Sequence, residues 1–223
     1  MIRIDLQFFG GRGAGSSSGR YPGGGVDPSD IISTTSLVSE RETSKELVDE
    51  TLSVFRDVYD EYGAQVTDIQ IATMKPGAGA LAYYDSDGNI AFNKAYFDNA
   101  KMSKVYEDCV KTGFHPSTGN KTAMQAVAAH ELGHKLTADV GKKLGMLGFG
   151  DLSSVSNKIV KEARGATKHK GVVQMAGKIS RYATSSNAEA IAEAFADVFC
   201  NGKKAHSESK AIVNVLNKYL KGA

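Results

Sequence analysis

Apolar and polar positions change period several times along the chain. Leu47, Val48, Leu52, Phe55, Val58 and Tyr59 recur at the 3.6-residue spacing of a helix with one buried face, which predicts a helix over residues 40–62 stopped by Gly63. Val66, Ile69 and Ile71 predict a strand over residues 66–74, broken by Pro76-Gly-Ala-Gly79. Two short apolar runs, 80–84 and 89–93, flank Asp85-Ser-Asp-Gly88 and read as a β-hairpin. Helical spacing returns over 101–111, and a loop follows at 115–120. A long helix is expected from about 122 to 139, capped by Thr122 or Ser117. Residues 141–150 hold four glycines and predict a flexible connection, either a linker or a lid. Further helices are expected over 152–163, 172–179, 188–199 and 207–220, the third ended by Asn201-Gly202. Residues 31–39 are Ser/Thr-rich and show no clear period. A helix, a small sheet and then a run of helices make an α+β chain.

Composition narrows the possibilities. The chain has 223 residues and 41% hydrophobic content, enough for a real core. Eight of the sixteen residues from 10 to 25 are Gly, so residues 1–30 are expected to form a disordered arm ahead of a domain over 31–223. Ile2, Ile4, Leu6, Phe8 and Phe9 could make its tip a docking tag. A net charge of +2 lacks the dense cation excess of a nucleic-acid binder. No apolar run reaches the roughly 20 residues of a membrane span, and Asp5 and Gln7 interrupt the N-terminal apolar stretch, so no signal peptide is expected. Cys109 and Cys200 are expected to be free thiols. The basic stretch of Lys158, Lys161, Arg164, Lys168, Lys170, Lys178 and Arg181 reads as a solvated face.

The chemistry concentrates in His130-Glu131-Leu132-Gly133-His134. Five histidines in 223 residues make a chance His-Glu-x-x-His roughly a 1-in-200 event. Positions four apart share a helix face, so both imidazoles can reach one tetrahedral zinc ion. Glu131 can then take the proton of the water that the zinc activates. A catalytic zinc needs a third protein ligand and an open position. His115, His169 and His206 do not stand at the spacing of a three-histidine site. The acids Glu189, Glu193 and Asp197 fall at i, i+4 and i+8 on one helix face, where binding a cation would offset their repulsion.

Tyr182, followed by Asn187-Ala-Glu-Ala-Ile-Ala-Glu-Ala-Phe195, downstream of His-Glu-x-Gly-His, resembles the catalytic end of the gluzincin metallopeptidases, in particular the anthrax lethal factor protease domain. The resemblance covers residues 120–200. It implies a zincin-like fold: a small mixed sheet, an active-site helix and a C-terminal helical subdomain. It implies His130, His134 and Glu189 as zinc ligands, with Gly133 as the small residue inside the motif. Glu131 would be the general base, Glu193 the partner of a ligand histidine, and Tyr182 the donor to the developing oxyanion. Glu193 as ligand with Asp197 behind it, as in other gluzincins, is the competing assignment. Zincins also pair substrate with an exposed sheet edge, which 80–84 or 90–93 could supply.

The expected activity is therefore zinc-dependent endopeptidase hydrolysis of a protein or peptide substrate. The alternatives are a non-catalytic structural zinc protein and a toxin-like effector protease. Ile4-Asp-Leu-Gln-Phe-Phe-Gly-Gly-Arg-Gly13 resembles the start of minor head or structural proteins of phages and prophages. That second resemblance implies a virion or a bacterial host cytoplasm as the setting, and phage structural proteins as partners of the arm.

Overall fold

A computed structural model describes residues 32–35, 45–74, 79–146 and 149–222. The arm expected over 1–30, its docking tag and the Pro76-Gly77-Ala78 break lie outside the described residues. The chain divides into two compact units, one up to Lys104 and the other from Val105.

Among its described residues, the first unit carries a four-stranded mixed sheet and one complete helix. β1 (Ile32–Thr35) and β2 (Val66–Ala72) are parallel, as are β2 and β4 (Ile90–Asn93). β3 (Ala82–Tyr84) lies antiparallel to β4, giving the order β1-β2-β4-β3. The internal strand β4 is buried along its whole length. Asp85 builds the hairpin turn: its Oδ1 accepts from the backbone N–H groups of Asp87 and Asn89, each at 2.9 Å. β1 was not legible in the sequence. Its Ser/Thr run has no alternating apolar face, and its pairing comes from the β2 backbone. α1 (Lys45–Tyr62) buries Leu47, Val48, Leu52, Phe55 and Val58, the stripe read from the sequence, and Gly63 ends it at φ 65°.

α2 (Asn99–Lys111) crosses into the second unit, which is helical. α3 (Ala123–Lys143) opens on Thr122, whose hydroxyl oxygen accepts from Gln125 N–H while the Gln125 side chain accepts from Thr122 N–H. Ser117 does not cap it; its hydroxyl reaches Asn201 instead. α3 runs four residues past the expected end, so the connection shortens to a turn at Gly145 with residues 147 and 148 outside the described set. α4 (Phe149–Gly165) is longer than expected, and α5 (Val172–Ala176) is shorter. A 3-10 turn (Tyr182–Thr184), α6 (Asn187–Asn201), a second 3-10 turn (Gly202–Lys204) and α7 (Ser207–Lys221) complete the unit. Six of the seven residues of the basic stretch are exposed, and Arg164 is half-buried. Cys109 and Cys200 are free and buried, and burial pushes their thiols up to about 11 and about 12.

α6 is the centre of this unit and packs against α3, α4 and α7. It meets α3 more extensively than any other pair of elements meet. The contact needs Gly133: a Cβ there would lie 2.7 Å from Ala192 Cα and 3.3 Å from Phe195 Cβ. Ala192 and Phe195 on α6 supply the other side of this close approach. Gly133→Ala is expected to cost about 1–3 kcal/mol through overpacking, read as a lower urea midpoint at unchanged slope. Gly165→Ala, where nothing lies within 4 Å, should move the midpoint by less than about 0.5 kcal/mol. Equal midpoints in both variants would remove the packing argument.

Candidate metal centre

The motif His130-Glu131-Leu132-Gly133-His134 lies in the middle of α3, where all of its side chains are buried. The i, i+4 spacing brings the two imidazoles side by side, with ring centroids 5.0 Å apart. α6 supplies the opposing carboxylate from its first turn. Ser186 caps that helix, its hydroxyl oxygen accepting from Glu189 N–H at 3.1 Å. The Glu189 side chain turns to the imidazoles: its Oε2 stands 3.1 Å from His130 Nε2 and 3.4 Å from His134 Nε2.

These distances carry charge attraction without hydrogen-bond alignment. His130 Nε2 and Glu189 Oε2 are both buried and have no hydrogen-bond partner. Buried polar atoms are normally satisfied, so a facing orphan pair calls for an explanation. The donor atoms of His130, His134 and Glu189 lie within 4.8 Å of one another, and the three residues can hold a metal ion. Two imidazole nitrogens and one carboxylate oxygen are donor types that metal ions accept. Burial alone would raise the Glu189 carboxyl; the two imidazoles outweigh it and hold the group well below its ordinary range. Burial likewise pushes His130 towards its neutral form, but Glu189 and Glu193 override this and raise it far above the usual imidazole value. Without a metal, the site thus draws a proton to the place where a cation would be favoured.

Glu193, one turn further along α6, stands behind His130. Its Oε1 accepts from His130 Nδ1 at 2.8 Å, and its Oε2 accepts from the Ser180 hydroxyl at 2.7 Å. Fixing a ligand imidazole by its outer nitrogen orients the ring and its tautomer. Burial would raise the Glu193 carboxyl, yet its imidazole neighbours, His115 foremost, bring it down to about 2. Asp197, the third acid of the stripe, faces elsewhere. It accepts from His206 N–H and Nδ1, both at 2.9 Å, and from the Asn201 amide. The competing assignment of Glu193 as ligand with Asp197 behind it therefore does not match this geometry. The acidic stripe is buried: Glu193 and Asp197 each have aligned hydrogen-bond donors, and Glu189 faces the two imidazoles.

Tyr182 sits in the 3-10 turn before α6, its ring stacked on Phe114 at 5.1 Å and 5.9 Å from the His130 ring. Burial, and then the carboxylates of Glu189, Glu131 and Glu193, push its hydroxyl far above the ordinary tyrosine value, so it stays a hydrogen-bond donor. Glu131 is 2% exposed. Sequence reasoning missed His115 and Ser180. Neither stands at a motif spacing. No family model, no curated protein and no solved structure matches this chain.

Protonation of Glu193 should cost stability in acid. Its pKa is depressed, so its contribution is present above the ordinary carboxyl value near 4.5 and is lost as pH falls towards 2. In chelator-treated protein, Glu193→Gln should lose about 3 kcal/mol at pH 7, by breaking a buried charged cluster. The gap to wild type should narrow between pH 4.5 and 2. A gap constant across that range would contradict the assignment.

Proposed function

We propose that the chain is a zinc-dependent metallopeptidase of gluzincin type, acting on a protein or peptide substrate. The carrying observation is the unsatisfied His130 Nε2 and Glu189 Oε2 pair beside His134 in the helix that also bears Glu131. His130, His134 and Glu189 would hold the ion. When bound, it would supply Lewis acidity, polarising the scissile carbonyl and easing the ionisation of water. Glu131 takes a proton from the attacking water and returns it to the leaving amine. Tyr182 donates its hydroxyl to the negative charge that develops on the carbonyl oxygen. Glu193 keeps His130 oriented by accepting its Nδ1 hydrogen. On this reading the bacteriophage-like N-terminal segment ties the enzyme to a virion or to a host cell.

A second reading draws on burial. His130, His134 and Glu189 are 5%, 7% and 6% exposed, as suits a zinc that only stabilises the fold. One experiment separates the two. Purified protein should contain about one zinc per chain, and Glu131→Ala should retain it. The same substitution should cut cleavage of a peptide library by a factor of about 100 to 10,000. Zinc retained with no cleavage by wild type supports the structural reading; no zinc in wild type rejects both.

A further inference from the structure

His115 lies outside every motif and is 7% exposed. Its Nδ1 stands 2.9 Å from Glu193 Oε1, the same oxygen that accepts from His130 Nδ1. The backbone fixes this position. Gly113 ends α2 at φ 66°, and the next residues run beside the 3-10 turn: Arg181 N–H donates to Gly113 O at 2.8 Å, and Tyr182 N–H to Phe114 O at 3.1 Å. The His115 ring stacks on Tyr106 at 5.2 Å and meets Tyr182 edge-on at 5.4 Å.

An ionised carboxylate only accepts, so both Nδ1 atoms facing Glu193 Oε1 must carry hydrogen. With Nδ1 carrying the hydrogen, Nε2 is the nitrogen of His130 that would offer its lone pair to a bound metal. A single buried carboxylate satisfied by His130 and Ser180 alone would keep acceptor capacity on Oε1. His115 fills that capacity, which fixes where Oε1 stands and hence where the His130 ring stands. We infer that His115 is a positioning residue of the metal centre, acting through Glu193 by its Nδ1 hydrogen rather than by the packing of its ring. The inference rests on the metal reading above and assigns a residue that this reading does not need.

Two variants of the full chain separate donor from ring. His115→Asn retains an N–H donor near the Nδ1 position and loses the stack. His115→Phe retains the stack and loses the donor. Metal-free proteins are titrated with Co2+ against a chromogenic chelator, and the visible Co2+ spectrum is recorded. His115→Phe should weaken Co2+ binding by about tenfold or more and shift the visible band, with His115→Asn within about threefold of wild type. Weakening in His115→Asn but not in His115→Phe, equal weakening in both, or no change in either overturns the inference. If wild type binds no Co2+, the metal reading fails and takes this inference with it; binding insensitive to both variants removes this inference alone. Should His115→Phe not fold, the zinc-loaded wild type labelled with 15N-histidine decides. His115 must carry hydrogen on Nδ1, and a ring lacking it overturns the assignment.

Discussion

The close crossing of α3 and α6 at Gly133 and Ala192 is the contact on which the second unit depends. Two helices with larger side chains at that point would stand further apart. The separation matters because the two helices carry opposite halves of one site. His130 and His134 flank Gly133 on α3, and Glu189 and Glu193 flank Ala192 on α6. The glycine inside the histidine motif is thus explained by packing, independently of any resemblance. It lets a carboxylate approach two imidazoles to between 3.1 and 3.4 Å without displacing either helix.

Bringing charge into that interior has a cost, and the surrounding residues show how it is met. A buried ion is tolerated where each lone pair and each hydrogen finds a partner. Glu193 meets the condition with two imidazoles and a hydroxyl. Asp197 meets it with the backbone N–H and imidazole of His206, just before α7, and the side-chain amide of Asn201 at the end of α6. Glu189 does not meet it, since its Oε2 faces two imidazoles but has no aligned hydrogen bond. Three acids equally spaced on one helix therefore have three different environments. The unmet one faces the pair of histidines, which is where a cation would complete the set.

The same cluster ties the loop after α2 to the turn before α6. His115, Tyr182 and Ser180 come from segments joined by backbone hydrogen bonds, and all three converge on Glu193 or on the ring beside it. The arrangement is a shell of aromatic and hydroxyl groups around a buried carboxylate. Its members are far apart in the chain, His115 and Glu193 standing 78 positions apart.

Local pattern by itself determined the helices with strong periodicity, the hairpin at Asp85 and the pairing of His130 with His134, because each depends on spacing within a few residues. The chain resemblance also singled out Glu189 and Glu193, since their four-residue interval survives in the sequence. Other features had no local signature. β1 exists because β2 offers it a backbone to pair with, and α3 extends beyond its apolar pattern because its turns continue to be hydrogen-bonded and packed. Which acid faces the imidazoles, and that His115 shares an oxygen with His130, depended on the distance and rotation between packed helices. Those quantities are set by side-chain volume at contacts such as Gly133 and Ala192, and no periodicity along a single chain segment encodes them.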